Sequence, residues 1–191
     1  MTKNILISFG IVLAIALFVF GSYLPFLKAR SYIKTINTLS SAKSVQEFEG
    51  IFKQSIDLFS PVGEEEIVKF FVGDVVRGIV SQNNPENVAR ELVSFSEQYL
   101  FPNNVRHLLI GGNLHDILWQ KYGHREEDMA KVLDYYEKAF AIGPKLPPVL
   151  YGLLGLYQAE GNIEKTKEIG NLILAYWPED QGVKNFMDQV R

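Results

Sequence analysis

Residues 147–180 read PPVLYGLLGLYQAEGNIEKTKEIGNLILAYWPED, and this stretch decides the fold. Pro147-Pro148 opens a helix over about 149–159, and Glu160-Gly161-Asn162 turns the chain. A second helix covers about 163–176 until Trp177-Pro178 stops it. Helices of this length joined by so short a turn must lie antiparallel.

Outward from this hairpin the same rhythm continues. Apolar residues recur at helical spacing, and the breaks carry helix-ending and helix-starting chemistry rather than strand turns. Toward the N-terminus the spacing predicts helices over about 126–142, closed by Gly143-Pro144, and over about 104–122. Asn84-Pro85 starts another, with asparagine as cap and proline in the first turn, carrying Val88, Leu92, Phe95 and Tyr99 to a stop at Phe101-Pro102. Before it, Gly63 and the acidic Glu64-Glu65-Glu66 open a helix that is apolar over a wide arc from Ile67 to Val80. In Ser44-Val45-Gln46-Glu47 the serine caps and the glutamate reaches back. Phe48, Ile51, Phe52, Ile56 and Phe59 then form one face until Ser60-Pro61 ends it. After the hairpin, residues 181–191 place Val183, Phe186, Met187 and Val190 on one face, as a terminal helix covering the last unit would.

Helix-ending prolines at Pro61, Pro102, Pro144 and Pro178 are spaced by 41, 42 and 34 residues, a period expected of a repeated helix hairpin. At 147–180 the sequence resembles the tetratricopeptide repeat family, through Leu150, Leu153, Tyr157, Gly161 and Pro178 at the family's spacing. Thr166, Gly170 and Ile173 depart from it, standing where the family usually has alanine, an aromatic and alanine. The preceding unit matches through Tyr136, Ala139 and Pro144, and through Leu118 and Tyr122 if its turn carries one extra residue; Trp119 replaces the family glycine. The resemblance covers about 104–180 and is faint over 31–102, which is expected to hold divergent helical hairpins. It implies an α-solenoid that binds an extended segment or helix of a protein partner on a concave face lined by the first helix of each hairpin. On that face it puts Asn113, Asp116, Gln120, Tyr151 and Gln158.

Nothing else in the chain resembles residues 5–27, ILISFGIVLAIALFVFGSYLPFL, which hold no charge and are bounded by Lys3, Lys28 and Arg30. As a helix they span roughly 34 Å, enough for a hydrocarbon core of about 30 Å. The run exceeds the apolar segment of a cleaved signal peptide, so a retained single-pass anchor in contact with membrane lipid is expected, with Tyr23 and the flanking bases at the interface. Lys28, Arg30, Lys34 and Lys43 beyond the span outnumber Lys3 and the α-amine before it, which favours a cytoplasmic helical domain, while a short N-terminal tail with one lysine equally suits an export-type signal anchor with the domain facing outward. A membrane helix leading directly into divergent tetratricopeptide hairpins also looks like the C-terminal tail of some bacterial O-antigen ligase or polymerase-like proteins. In those polytopic proteins the glycosyl-transfer chemistry lies in the membrane-embedded part, so no catalytic residue carries over to a chain with one span. That resemblance implies a tail or paralogue serving cell-surface glycan assembly, with further spans encoded upstream.

The expected fold class is therefore all-α: an N-terminal transmembrane helix followed by an α-solenoid of tetratricopeptide-like hairpins. A formal charge of −3 over 191 residues, without a basic stripe, argues against nucleic acid as a partner. The absence of cysteine removes disulfide scaffolds, thiolate nucleophiles and sulfur-ligated zinc. His107, His115 and His124 lack the spacing of a zinc-binding helix, and no serine, histidine and carboxylate set has a recognisable frame, so neither an enzyme nor a cofactor is expected. Gly111-Gly112 has no strand before it and fits close helix packing better than a phosphate loop.

Overall fold

The structure, a computed structural model, describes residues 2–39 and 41–190. Among them every regular element is helical, and the chain divides into two compact units, Met1–Val76 and Arg77–Arg191.

The first unit begins with α1 (Thr2–Phe18), a π turn (Val19–Tyr23) and α2 (Leu24–Leu39), which run on as one helix. From Asn4 to Leu39 this helix is long and apolar enough to cross a membrane, and none of its most apolar window is buried. Ile5, Leu6, Phe9, Val12 and Leu17 stand exposed around it. Beyond the apolar run α2 becomes part of a folded core, packing along α3 (Val45–Ile56). The Thr35 hydroxyl reaches the Ile51 carbonyl at 3.5 Å, and the Lys28 ammonium donates to the Ile56 carbonyl at 3.1 Å. Ser44 caps α3 by accepting from the Glu47 N–H at 3.1 Å, and Glu47 accepts in return from the Lys43 N–H at 2.9 Å. Phe52 stacks on Phe71 with centroids 3.6 Å apart, and Phe48 lies 5.3 Å from the same ring. With Val68 and Val72 these rings fill the core between α3, α4 (Glu64–Phe70) and the π turn that follows (Phe71–Val76).

Two expectations are corrected here. Phe59 is not on the apolar face of α3, because the helix ends at Ile56 and Phe59 is 66% exposed. Pro61 disfavours helical backbone at Ser60, whose hydroxyl instead donates to the Val62 carbonyl at 2.7 Å and closes a local turn. Lys28, expected among lipid headgroups, is 1% exposed and held by Ile56 and, at 3.4 Å, by Glu64.

The second unit comprises α5 (Arg77–Val80), α6 (Glu86–Glu97), α7 (Val105–Lys121), α8 (Glu126–Ile142), α9 (Pro147–Ala159), α10 (Ile163–Tyr176) and α11 (Gln181–Gln189). From α6 onward each helix packs on its neighbour in sequence, and the boundaries of α8 and α10 fall where the spacing predicts. Asn104 caps α7 through the Arg106 and His107 N–H groups at 2.8 and 3.3 Å, and Asp180 caps α11 through the Val183 N–H at 2.9 Å. Asn84, by contrast, does not cap α6. Pro85 holds that position without a side-chain bond, while the Asn84 amide donates backward to the Ile79 carbonyl at 2.7 Å.

Glycines set how closely the helices approach. The Tyr136 ring of α8 lies against Gly112 of α7 and Gly152 of α9, where an added Cβ would meet the ring. Two of the departures from the expected repeat pattern have local reasons. Gly170 makes room for Met187 of α11, and the buried Thr166 hydroxyl donates to the Asn162 carbonyl at 2.7 Å. At the α7–α8 turn, where Trp119 stands in place of the family glycine, Gly123 and His124 take positive φ, and the His124 N–H bonds the Trp119 carbonyl at 3.1 Å.

Candidate partner-binding surface

The sequence spacing of Asn113, Asp116 and Gln120 aligns them along one face of α7, and Tyr151 and Gln158 lie seven apart on α9. Part of the α7 row is spoken for. The Asn113 carbonyl accepts from the Tyr136 hydroxyl at 3.3 Å, and the Gln120 amide donates to Asp116 at 2.8 Å. Burial, with the Asp116 charge nearby, pushes the Tyr136 hydroxyl upward in pKa. Gln120, Tyr151 and Gln158 are exposed.

The residues of the repeat signature serve packing and turns. Leu118, Ala139, Leu150, Leu153 and Tyr157 are buried, and Gly161 takes φ +72° at the α9–α10 turn. Pro144 and Pro178 follow α8 and α10. The Tyr122 hydroxyl donates to the Asn84 carbonyl at 2.8 Å. Tyr157 and Lys165 converge on Glu137 at 2.8 and 3.0 Å, joining α8, α9 and α10 and holding the Glu137 carboxyl below its ordinary pKa.

One open concavity includes a residue expected at the binding face. Tyr151, Tyr176, Trp177 and Asp180, with Pro147 and Pro178, line a groove of about 580 Å³. Tyr151 stacks on Trp177 at 6.2 Å, and Tyr176 meets Trp177 edge-on at 5.8 Å. Asp180 is fixed at the rim: the Tyr151 hydroxyl and then the Val183 N–H hold its carboxyl below its ordinary pKa, so it stays charged. Lys145 lies over the Tyr176 ring at 5.4 Å, already using that aromatic face for a cation. Rigid aromatic faces beside a fixed carboxylate suit noncovalent recognition. The sequence named Tyr151 and Trp177 separately; what joins them is the turn after α10, which folds Trp177 back onto α9.

A second constellation was not foreseen. Arg90 on α6 donates to both oxygens of Asp128 on α8 at 2.9 and 2.8 Å and to Glu86 at 2.8 Å. His115 Nε2 lies 3.0 Å from Glu97, which also accepts from the Tyr135 hydroxyl at 2.8 Å. The bond from His115, aided by Tyr135, holds the Glu97 carboxyl down at about 2, while burial and then Glu97 push the Tyr135 hydroxyl up. His115 Nδ1 is buried without a hydrogen bond, 3.8 Å from Asp128. Both ring nitrogens thus face carboxylates rather than a hydroxyl, and the cluster ties α6, α7 and α8 together. Of these contacts only the Glu86–Arg90 pair, four residues apart on one helix, has a local sequence signal, and it was not among the sequence expectations. Among the described residues no group of three or more His, Asp or Glu side chains is placed to hold a metal ion.

Comparison with protein-family models, with characterised proteins and with solved structures finds no match.

Proposed function

We propose that the chain is a membrane-tethered scaffold without catalytic activity. Residues 5–27 span the bilayer, and an α-solenoid of tetratricopeptide-like hairpins, α7 with α8 and α9 with α10, holds a protein partner through an exposed segment of that partner. The observation that carries this reading is the open groove of Tyr151, Tyr176 and Trp177 beside Asp180, at the end of helices that pack in sequence order. Support for the tether comes from a helix that is apolar on every side and exposed along most of its length. The basic residues beyond the span favour a cytoplasmic domain. Tethering raises the local concentration of a membrane-bound partner, so modest intrinsic affinity suffices.

The test is to extract the full chain from its own membranes in mild detergent, beside a Tyr151→Ala variant. Circular dichroism establishes that the two are equally folded. A stoichiometric protein recovered with the parent chain and reduced roughly tenfold by Tyr151→Ala, a loss of about 1.4 kcal/mol, supports the scaffold. Identical recovery from both overturns the groove as the binding surface. Glycan-assembly enzymes that stay bound regardless of Tyr151 favour the tail of an O-antigen ligase-like assembly instead.

A further inference from the structure

The path of the chain after the apolar helix brings a second apolar element back to the membrane. Residues 28–39 of α2 carry the chain about 18 Å beyond the apolar run, at about 1.5 Å per residue. α3 then returns alongside α2. Thr35 meets Ile51, and Lys28, seven residues earlier on α2, meets Ile56, five residues later on α3. The antiparallel register is thereby fixed, and α3 ends level with Lys28, one residue past Leu27, where the apolar run stops.

The loop that follows, residues 57–63, is pinned at both ends to this level. Lys28 holds the Ile56 carbonyl before it and the Glu64 carboxylate after it, at 3.1 and 3.4 Å. Between the two pins Leu58 is partly covered, whereas Phe59 is 66% and Val62 60% exposed. Ser60 is buried and bonds to Val62, so the turn has a defined shape rather than trailing into solvent. Leu24, Pro25 and Leu27, in the last turns of the apolar run, are partly covered, so the folded unit reaches the end of the span itself. Of the carboxylates that follow the loop, Glu64 pairs with Lys28 and Glu66 with Lys69.

Two large apolar side chains exposed at the tip of a defined turn, at the depth where the bilayer begins, are placed to enter the boundary between headgroups and acyl chains. We infer that the loop 57–63 is a second membrane contact, in which Phe59 and Val62 seat in the lipid interface beside the span. The contact rests on residues 5–27 crossing the bilayer, and adds to it a fixed tilt: one helix leaves a domain free to lean, whereas two separated contacts do not.

The chain has no cysteine, so single-cysteine variants carry a nitroxide label at one defined place. The full chain is reconstituted in phosphatidylcholine vesicles with labels at Phe18→Cys within the span, at Lys43→Cys on the loop before α3, and at Pro61→Cys. Collision with oxygen, which favours lipid, is compared with collision with a water-soluble nickel chelate. The expected result is a lipid-side reading at Phe18, an aqueous one at Lys43 and an interfacial one at Pro61. Replacing Phe59→Ser and Val62→Ser together should move the Pro61 label to the aqueous reading while Phe18 stays unchanged. An aqueous reading at Pro61 with Phe18 in lipid overturns the loop contact and leaves the anchor standing, as does an interfacial reading indifferent to the double substitution. An aqueous reading at Phe18 overturns the span, and the inference with it.

Discussion

Arg90 and Asp128, 38 positions apart, meet in a two-point grip, each terminal guanidinium nitrogen on its own carboxylate oxygen at 2.9 and 2.8 Å. Only 3% of the Asp128 side chain is exposed, so its charge is affordable only while the guanidinium is present. Arg90→Ala is expected to cost about 3 kcal/mol and to lower the melting temperature by about 6 °C or more. Thermal unfolding of the purified chain followed by circular dichroism checks this; a change below about 0.5 kcal/mol would mean that the grip is not formed in solution.

The neighbouring acid gives a pH signature. In the folded protein Glu97 titrates at about 2 instead of 4.5, because His115 and then Tyr135 bond its ionised form. A depressed folded pKa contributes stability that is present above the unfolded value and lost as pH falls through the folded one. Stability should therefore decline between about pH 4.5 and 2 in the parent chain. Glu97→Gln should be less stable at neutral pH and change less over that acid range. Melts recorded at a series of pH values settle it, and parallel curves for the two proteins would refute the assignment.

Two glycines of α9 should respond in opposite directions to the same substitution. At Gly152 an added methyl runs into the Tyr136 ring, and Gly152→Ala is expected to destabilise by about 1–3 kcal/mol. At Gly155 nothing lies within 4 Å, so Gly155→Ala should stabilise by about 0.5–1 kcal/mol through helix propensity. Equal effects in denaturant titrations would show that α8 and α9 do not approach as described.

Tyr151→Phe removes a single hydrogen-bond donor from the groove and little else. Asp180, held low first by the Tyr151 hydroxyl, should move up toward its ordinary value of 3.8. Stability should change by less than about 0.5 kcal/mol, because the lost bond is at the surface. Carboxyl NMR titration reads the shift directly, and an unmoved Asp180 would contradict the contact.

The sequence carried the helices well wherever the information was contiguous. α10 runs over Ile163–Tyr176, the span predicted from the Glu160-Gly161-Asn162 turn and the Trp177-Pro178 stop, because a cap and a stop act within a few residues of themselves. Ser44 and Glu47 announced α3 for the same reason. The last turn of α3 was misread because Phe59 continues the apolar period although Pro61 has already withdrawn the backbone from the helix. Asn84 was misread because an asparagine can satisfy the helix behind it as readily as the one ahead, and the choice depends on where the Ile79 carbonyl lies. The Arg90–Asp128 grip and the burial of Lys28 were illegible, since each joins residues 38 and 28 positions apart that share no local pattern. The groove was half legible: its aromatic residues were visible, but their meeting depends on the turn that brings Trp177 onto Tyr151.

The π turn at Val19–Tyr23 interrupts the α-helix between α1 and α2. A single extra residue in a helical turn advances everything beyond it by roughly 100° around the axis. The stripe Lys28, Thr35 and Leu39, which faces the core, is thereby indexed to the side chains of α1 by the insertion and not by the ordinary helical period. Removing one residue from this turn would leave length and hydrophobicity almost unchanged yet swivel α1 against α2 by more than a quarter of a revolution. The compass bearing of α1 is thus written in five residues rather than in the many that precede them.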